Sequence, residues 1–156
     1  MRVRYIMTQP PQTCRTDTPL VMASRRMRAM ECGTLAVLDD HGRLAGILTD
    51  RDVALALGNT DRDAARVTAG EVMSRQVQTC GPEDDLHVAL DRMASARVRR
   101  LPVIDAEGDL KGILSIDDIV VWGVGRNAVS MHQLADALRR ICASHLAQSD
   151  LEMPRF

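Results

Sequence analysis

The chain is nearly without aromatic residues: one Trp, one Tyr and one Phe make up 2% of its 156 residues. Single-strand nucleic-acid binders stack bases on aromatic platforms, so that class is excluded. The same scarcity leaves core formation to Leu, Ile, Val, Ala and Met. Excess charge of either sign is missing too. A formal net charge of −1 leaves no electrostatic footprint for a nucleic acid or an anionic membrane. Lysine occurs once, at Lys111, and no phosphate loop ending in lysine can be built around it.

Long apolar runs are absent as well. The longest, around Ile119 to Val124, falls far short of a bilayer span. The opening Met-Arg-Val-Arg-Tyr lacks the apolar stretch of a signal peptide. Cys14, Cys32, Cys80 and Cys142 are widely spaced and form no C-x-x-C pair, so reduced thiols in a cytoplasmic protein are expected. His41, His87, His132 and His145 show no metal-ligand spacing. Asp50 with Asp52, or Asp117 with Asp118, can be drawn as metal-binding pairs, but acids at a helix start explain them more simply. No nucleophile-and-base set stands out, so a binding protein is expected, not an enzyme.

What the chain does contain is a repeat. At a constant offset of 66, Met7 meets Met73 and Gln12-Thr13-Cys14 meets Gln78-Thr79-Cys80. Leu20, Ala23, Arg26 and Met27 meet Leu86, Ala89, Arg92 and Met93. Leu35 to Asp39 meets Leu101 to Asp105, Gly42 to Thr49 meets Gly108 to Ser115, and Asp52 meets Asp118.

Each repeat reads as β-α-β-β-α. A short extended piece near Gln12 to Arg15, or Gln76 to Cys80, leads into a helix. Its buried face is Leu20, Ala23, Met27 and Met30, or Leu86, Ala89, Leu90 and Met93. Asp17 or Thr18 with Pro19, and Pro82 with Glu83, are the expected helix starts. Two apolar strands around a Gly-containing loop then make a hairpin, Leu35–Leu38 with Leu44–Leu48 and Leu101–Ile104 with Leu110–Leu114. Second helices follow at 50–57 and 116–122. One such unit has too small a core to stand alone, so the two should pack together. The expected divisions are repeat one at 3–58, a polar linker at 59–66, repeat two at 67–122, a helix at 126–149 and a flexible tail at 150–156. That last helix is amphipathic through Leu134, Leu138, Ile141 and Leu146, with His132, Asp136, Arg139 and Arg140 on its polar side. It has no counterpart in the first half, and either caps the core or serves a partner.

Gly46-Ile-Leu-Thr-x-x-Asp52 and Gly112-Ile-Leu-Ser-x-x-Asp118 resemble the G-h-x-[T/S]-x-x-[D/N] motif of the CBS domain. Ile-Met-Thr at 6–8, Val-Met-Ser at 72–74 and Arg-Leu-Pro-Val-Ile-Asp at 100–105 match its other hallmarks. The resemblance covers about residues 3–122. It implies an α+β, sandwich-like fold of two repeats about a pseudo-twofold axis, with the last helix as an addition. It also implies a cleft with two related sites for an adenosyl ligand: AMP, ADP, ATP or S-adenosylmethionine. A homodimer through the helices, an unidentified protein partner, and a sensing role are further implications.

Thr49 with Asp52, and Ser115 with Asp118, stand where a strand turns into a helix. One reading is a reciprocal cap. The other is ligand contact: free N–H groups and the hydroxyl for phosphate, the carboxylate for ribose hydroxyls. The resemblance favours ligand contact, which the cap does not exclude. Thr13 and Thr79 are secondary candidates at the adenine edge, with an aliphatic wall of Leu35, Val37, Leu101 and Val103 around the base and Pro102 within the matching motif. Arg97, Arg99 and Arg100 correspond to Glu31, Gly33 and Thr34, so the sites should be unequal, one of them preferring phosphate; the alternative is a solvated basic turn. The matched Cys14 and Cys80 are either buried small apolar groups or a redox switch. A dimeric adaptor with vestigial clefts is the remaining alternative function.

Overall fold

The computed structural model describes residues 1–58 and 65–143. The leucine 146 expected on the last helix, the tail and most of the polar linker lie outside the described residues. Val3–Tyr5 makes a short 3-10 turn. It is followed by β1 (Thr13–Arg15), α1 (Leu20–Ala29), β2 (Thr34–Leu38), β3 (Leu44–Thr49) and α2 (Asp50–Gly58). The second half runs α3 (Ala69–Val72), α4 (Leu86–Ala96), β4 (Arg100–Ile104), β5 (Leu110–Ser115) and α5 (Ile116–Asp118). A π-helical stretch, Ile119–Val124, continues α5, and α6 spans Met131–Cys142. β1 pairs parallel with β2, β2 pairs antiparallel with β3, and β4 and β5 form a two-stranded sheet. Near Gln76–Cys80 the expected extended piece is reduced to a single bridge between Cys80 and Val103.

The hairpins turn by the same chemistry. Asp39 accepts the N–H groups of His41 and Arg43, both at 2.9 Å, and Gly42 takes φ +76°. Asp105 accepts those of Glu107 and Asp109 at 3.2 and 2.8 Å, with Gly108 at φ +86°. An aspartate bonding its own loop and a glycine in the left-handed region define the turn.

Helix starts differ from expectation. α1 begins after Pro19, which carries no capping side chain, and the Thr18 hydroxyl is occupied by the Arg15 N–H at 2.9 Å. α4 starts beyond Pro82 and Glu83: its cap is Asp85, whose carboxylate accepts the His87 N–H at 3.0 Å. Met30 lies past the end of α1 and is half exposed, not part of the buried face.

Two compact units form, and they do not coincide with the two repeats. Unit 1 holds Met1–Thr8, Gln78–Val103 and the chain from Ile113 onward; unit 2 holds Gln9–Val77 and Ile104–Gly112. Backbone pairing shows why. Within unit 1, Thr8 and Ile113 exchange N–H···O bonds of 2.9 and 3.1 Å. Within unit 2, Ser74 and Ile47 exchange bonds of 2.9 and 3.0 Å. Thr8 corresponds to Ser74, and Ile113 to Ile47, so each repeat's leading segment pairs with the other repeat's hairpin. Gly46 is required by this approach: a Cβ there would lie 2.6 Å from Met73 Sδ and 2.7 Å from the Ser74 carbonyl oxygen.

Each unit has its own apolar centre. In unit 2, Leu35, Val37 and Leu48 of the sheet meet Leu20, Ala23 and Met27 of α1 and Val53 of α2. In unit 1, Val3 and Ile6 join Leu86, Met93, Leu101 and Leu114. α6 adds Leu134, Ala137 and Ile141 to that centre, so over its described length it caps unit 1. Arg140 reaches across to Asp91 at 2.8 Å and Ser95 at 2.9 Å on α4, tying down one residue of the expected polar side.

Candidate functional site

Both strand-to-helix corners are complete reciprocal caps. At the end of β3, the Thr49 N–H and hydroxyl donate to Asp52 Oδ2 at 2.8 and 2.7 Å, and the Asp52 N–H returns to Thr49 Oγ1 at 3.2 Å. At the end of β5, Ser115 and Asp118 repeat the pattern at 2.8, 2.6 and 3.1 Å. All four residues are half-buried. The hydroxyl proton expected to face a phosphate is therefore committed to the carboxylate, and a ligand would have to take it over. Caps of the same kind begin α3, through Thr68 and Glu71, and α6, through Ser130 and Gln133. The two corners differ in using the shorter Asp where Glu or Gln is usual, with no loop between strand and helix. Only Oδ2 of each carboxylate enters the box. Asp118 Oδ1 is approached by the Thr8 hydroxyl at 3.4 Å, a neighbour that arrives through the exchanged leading segment.

The secondary candidates divide between the units. Thr13 lies in unit 2 with Thr49 and Asp52; Thr79, Arg99, Arg100 and Pro102 lie in unit 1 with Ser115 and Asp118. Thr13 stands opposite Ala36 in the parallel pair of β1 and β2. The Thr79 carbonyl already accepts the Arg92 guanidinium, which also contacts Asp84. Arg99 turns toward α6, its Nη2 lying 3.7 Å from Cys142 Sγ. Arg97 and Arg100 have no ion-pair partner among the described residues.

The expected aliphatic wall is inverted. Leu35, Val37, Leu101 and Val103 have no exposed surface and belong to the apolar centres, so they cannot lie against a base. Successive side chains of a strand point to opposite faces. The other face of β2 and β3 carries Thr34, Ala36, Ile47 and Thr49, with Thr34 opposite Thr49 and Ala36 opposite Ile47; of these Thr34 and Ala36 are buried as well. Arg100 and Pro102 alternate with Leu101 and Val103 in the same way. Strict period-two counting from the buried leucines was the available signal.

Two clefts within the units, of about 350 and 340 Å³, lie elsewhere. One runs between α4 and α6 past His87, Asp91 and His132; the other borders Arg28, Glu31, Gly33 and Asp50. None of the four corner residues lines either. Among the described residues no group of His, Cys, Asp or Glu is placed to hold a metal, and no helix is long and apolar enough to cross a membrane. All four cysteines are free thiols. Burial pushes the Cys14 thiol up to about 11 and the Cys80 thiol up to about 12, away from the thiolate that redox chemistry requires.

Comparison with known proteins agrees with this duplicated architecture. Residues 3–59 and 69–125 each match the CBS domain family. A CBS domain-containing protein of Bacillus subtilis is 32% identical over 139 residues, covering 89% of this chain and 94% of that protein. The L-aspartate semialdehyde sulfurtransferase of Methanocaldococcus jannaschii is 30% identical over 118 residues, 75% of this chain but only 22% of the enzyme. Among solved structures, the CBS domain pair of protein MJ0100, in complex with 5′-methylthioadenosine and S-adenosyl-L-methionine, superposes with a TM-score of 0.72 at 26% identity, covering 81% of this chain and 98% of that one. The chain belongs to the CBS domain family and carries two copies of the domain.

Proposed function

We propose that the protein is a regulatory adenine-nucleotide sensor with one adenosyl site in each unit, acting through a homodimer. The observation that carries this reading is the repeated corner. Thr49 with Asp52, and Ser115 with Asp118, place a half-buried carboxylate and a hydroxyl at matching strand-to-helix junctions. An aspartate held by one oxygen can offer the other to ribose hydroxyls, while a helix start favours phosphate. The adenosyl compounds bound by the MJ0100 domain pair support the ligand class, from which AMP, ADP, ATP and S-adenosylmethionine are the candidates.

The sites are unequal in this reading. Arg97 and Arg100 in unit 1 suit phosphate, with Arg99 available once it leaves Cys142, whereas unit 2 has Glu31, Gly33 and Thr34 at those positions. Dimerisation is supported by half-exposed apolar side chains on the helices. These are Met22 and Leu55 of unit 2, and Val88, Val121 and Trp122 of unit 1. Signalling then passes to a protein partner, and no catalytic step is involved. The buried thiols of Cys14 and Cys80 speak against the redox adaptor.

A calorimetric titration with AMP, ATP, S-adenosylmethionine and NADH tests this. Saturable binding of at least one adenosyl ligand with two unequal affinities is expected. Silence toward all of them would leave a purely structural dimer.

A further inference from the structure

Thr34 is 4% exposed, and its Oγ1 is the buried side-chain polar atom without a hydrogen-bond partner among the described residues. Such an atom is costly, and native proteins rarely leave one unsatisfied. Three observations place it in the candidate site of unit 2. Thr34 is the direct cross-strand partner of Thr49, so their side chains leave the sheet on one face. That face is opposite the one carrying Leu35, Val37 and Leu48 into the core. The Thr49 hydroxyl, the obvious neighbour, is turned to Asp52 at 2.7 Å and does not satisfy it.

The residues at the matching strand positions decide what this hydroxyl can receive. At the matching place in unit 1 the chain supplies Arg97, Arg99 and Arg100; in unit 2 it supplies Glu31, Gly33 and Thr34 itself. A phosphate here would lack the guanidinium that Arg100 supplies at the matching position. An uncharged polar group meets a single free hydroxyl, able to donate or to accept.

Resting on the adenosyl-site reading above, we propose that the unit 2 site is selective for a phosphate-free adenosyl ligand, and that Thr34 Oγ1 is its specificity-determining hydrogen-bond partner. The division of labour is then between two ligand chemistries: phosphate-bearing in unit 1, phosphate-free in unit 2. Threonine is kept at a buried position where valine would pack equally well because the hydroxyl serves the ligand.

The test uses the full chain titrated with adenosine and with AMP, as wild type, Thr34→Val and Thr34→Arg. Wild type should bind adenosine, and Thr34→Val should weaken that binding by about two- to tenfold, the range of one neutral hydrogen bond, while the tighter AMP site is unchanged. Thr34→Arg should shift the adenosine site toward AMP. With no ligand, Thr34→Val should melt at the same or a higher temperature, since an unsatisfied group has been removed. Adenosine binding undiminished in Thr34→Val would overturn this proposal alone, as would a lowered melting temperature, which would reveal a protein partner for the hydroxyl. Wild type silent to both compounds would overturn the adenosyl-site reading together with it.

Discussion

Thr8 and Ile113 are bonded to each other through two backbone hydrogen bonds, 2.9 and 3.1 Å, although 105 positions separate them (113 − 8). The leading segment of the first repeat is thereby a structural part of the unit that contains most of the second. Ile6, 6% exposed, lies in the core of that unit. Ile6→Ala should cost roughly 2–4 kcal/mol, the range for an aliphatic truncation in a packed core. Urea unfolding measures it; a change below about 0.5 kcal/mol would mean that the segment behaves as a frayed terminus.

Gly46 allows the matching approach in unit 2. Gly46→Ala forces a methyl against the Ser74 carbonyl oxygen and Met73 Sδ, and should destabilise by about 1–3 kcal/mol through overpacking. Gly42→Ala has open space around it but a φ of +76°, so its cost should come from backbone strain alone. If Gly46→Ala were neutral in chemical unfolding, the close pairing of Ser74 with Ile47 would be wrong.

Glu31 and Arg97 occupy corresponding positions and both adopt left-handed backbone conformations, φ 49° and 58°. A residue with a Cβ pays for this conformation where glycine does not. Arg97→Gly should raise stability by about 1 kcal/mol in thermal or chemical unfolding, while weakening binding of a phosphate-bearing ligand. Lower stability would contradict the cap geometry at the end of α4.

The buried thiols carry a pH dependence. Each has its pKa raised in the folded state, from 9.0 to about 11 for Cys14 and to about 12 for Cys80, by desolvation. A raised pKa stabilises the fold fully below the unfolded value and loses that contribution as pH climbs toward the folded value. Stability should therefore decline above pH 9, less steeply in Cys14→Ala and Cys80→Ala. In the native protein at neutral pH, thiol reagents should modify the half-buried Cys32 and Cys142 before Cys14 and Cys80. Rapid native labelling of Cys14 or Cys80 would revive the redox reading.

Much of this was legible because local chemistry repeats. The Asp-x-x-Gly hairpin loops at Asp39 and Asp105, and the boxes at Thr49 and Ser115, depend on neighbours within four residues, so their spacing is visible in the chain. The exchange of leading segments was not, since Thr8 is chemically as able to pair within its own repeat as with Ile113. The orientation of the aliphatic residues was hidden for a related reason. Leu35 and Val37 are apolar whichever face they occupy, and only the position of α1 determines which face of β2 is the core. Thr34 was visible as the partner of Arg100 in the alignment of the halves, but its missing hydrogen bond emerges only from packing.

The two corner aspartates test the central claim most directly. Calorimetric titration of Asp52→Ala and Asp118→Ala with AMP and S-adenosylmethionine should show roughly tenfold to hundredfold weaker binding at one site in each variant, the loss of charge-assisted hydrogen bonds worth about 1.5–3 kcal/mol. Melting curves should show only the loss of a helix cap, about 1 kcal/mol. Unchanged affinity at both sites in both folded variants would reduce the corners to helix caps and contradict the account.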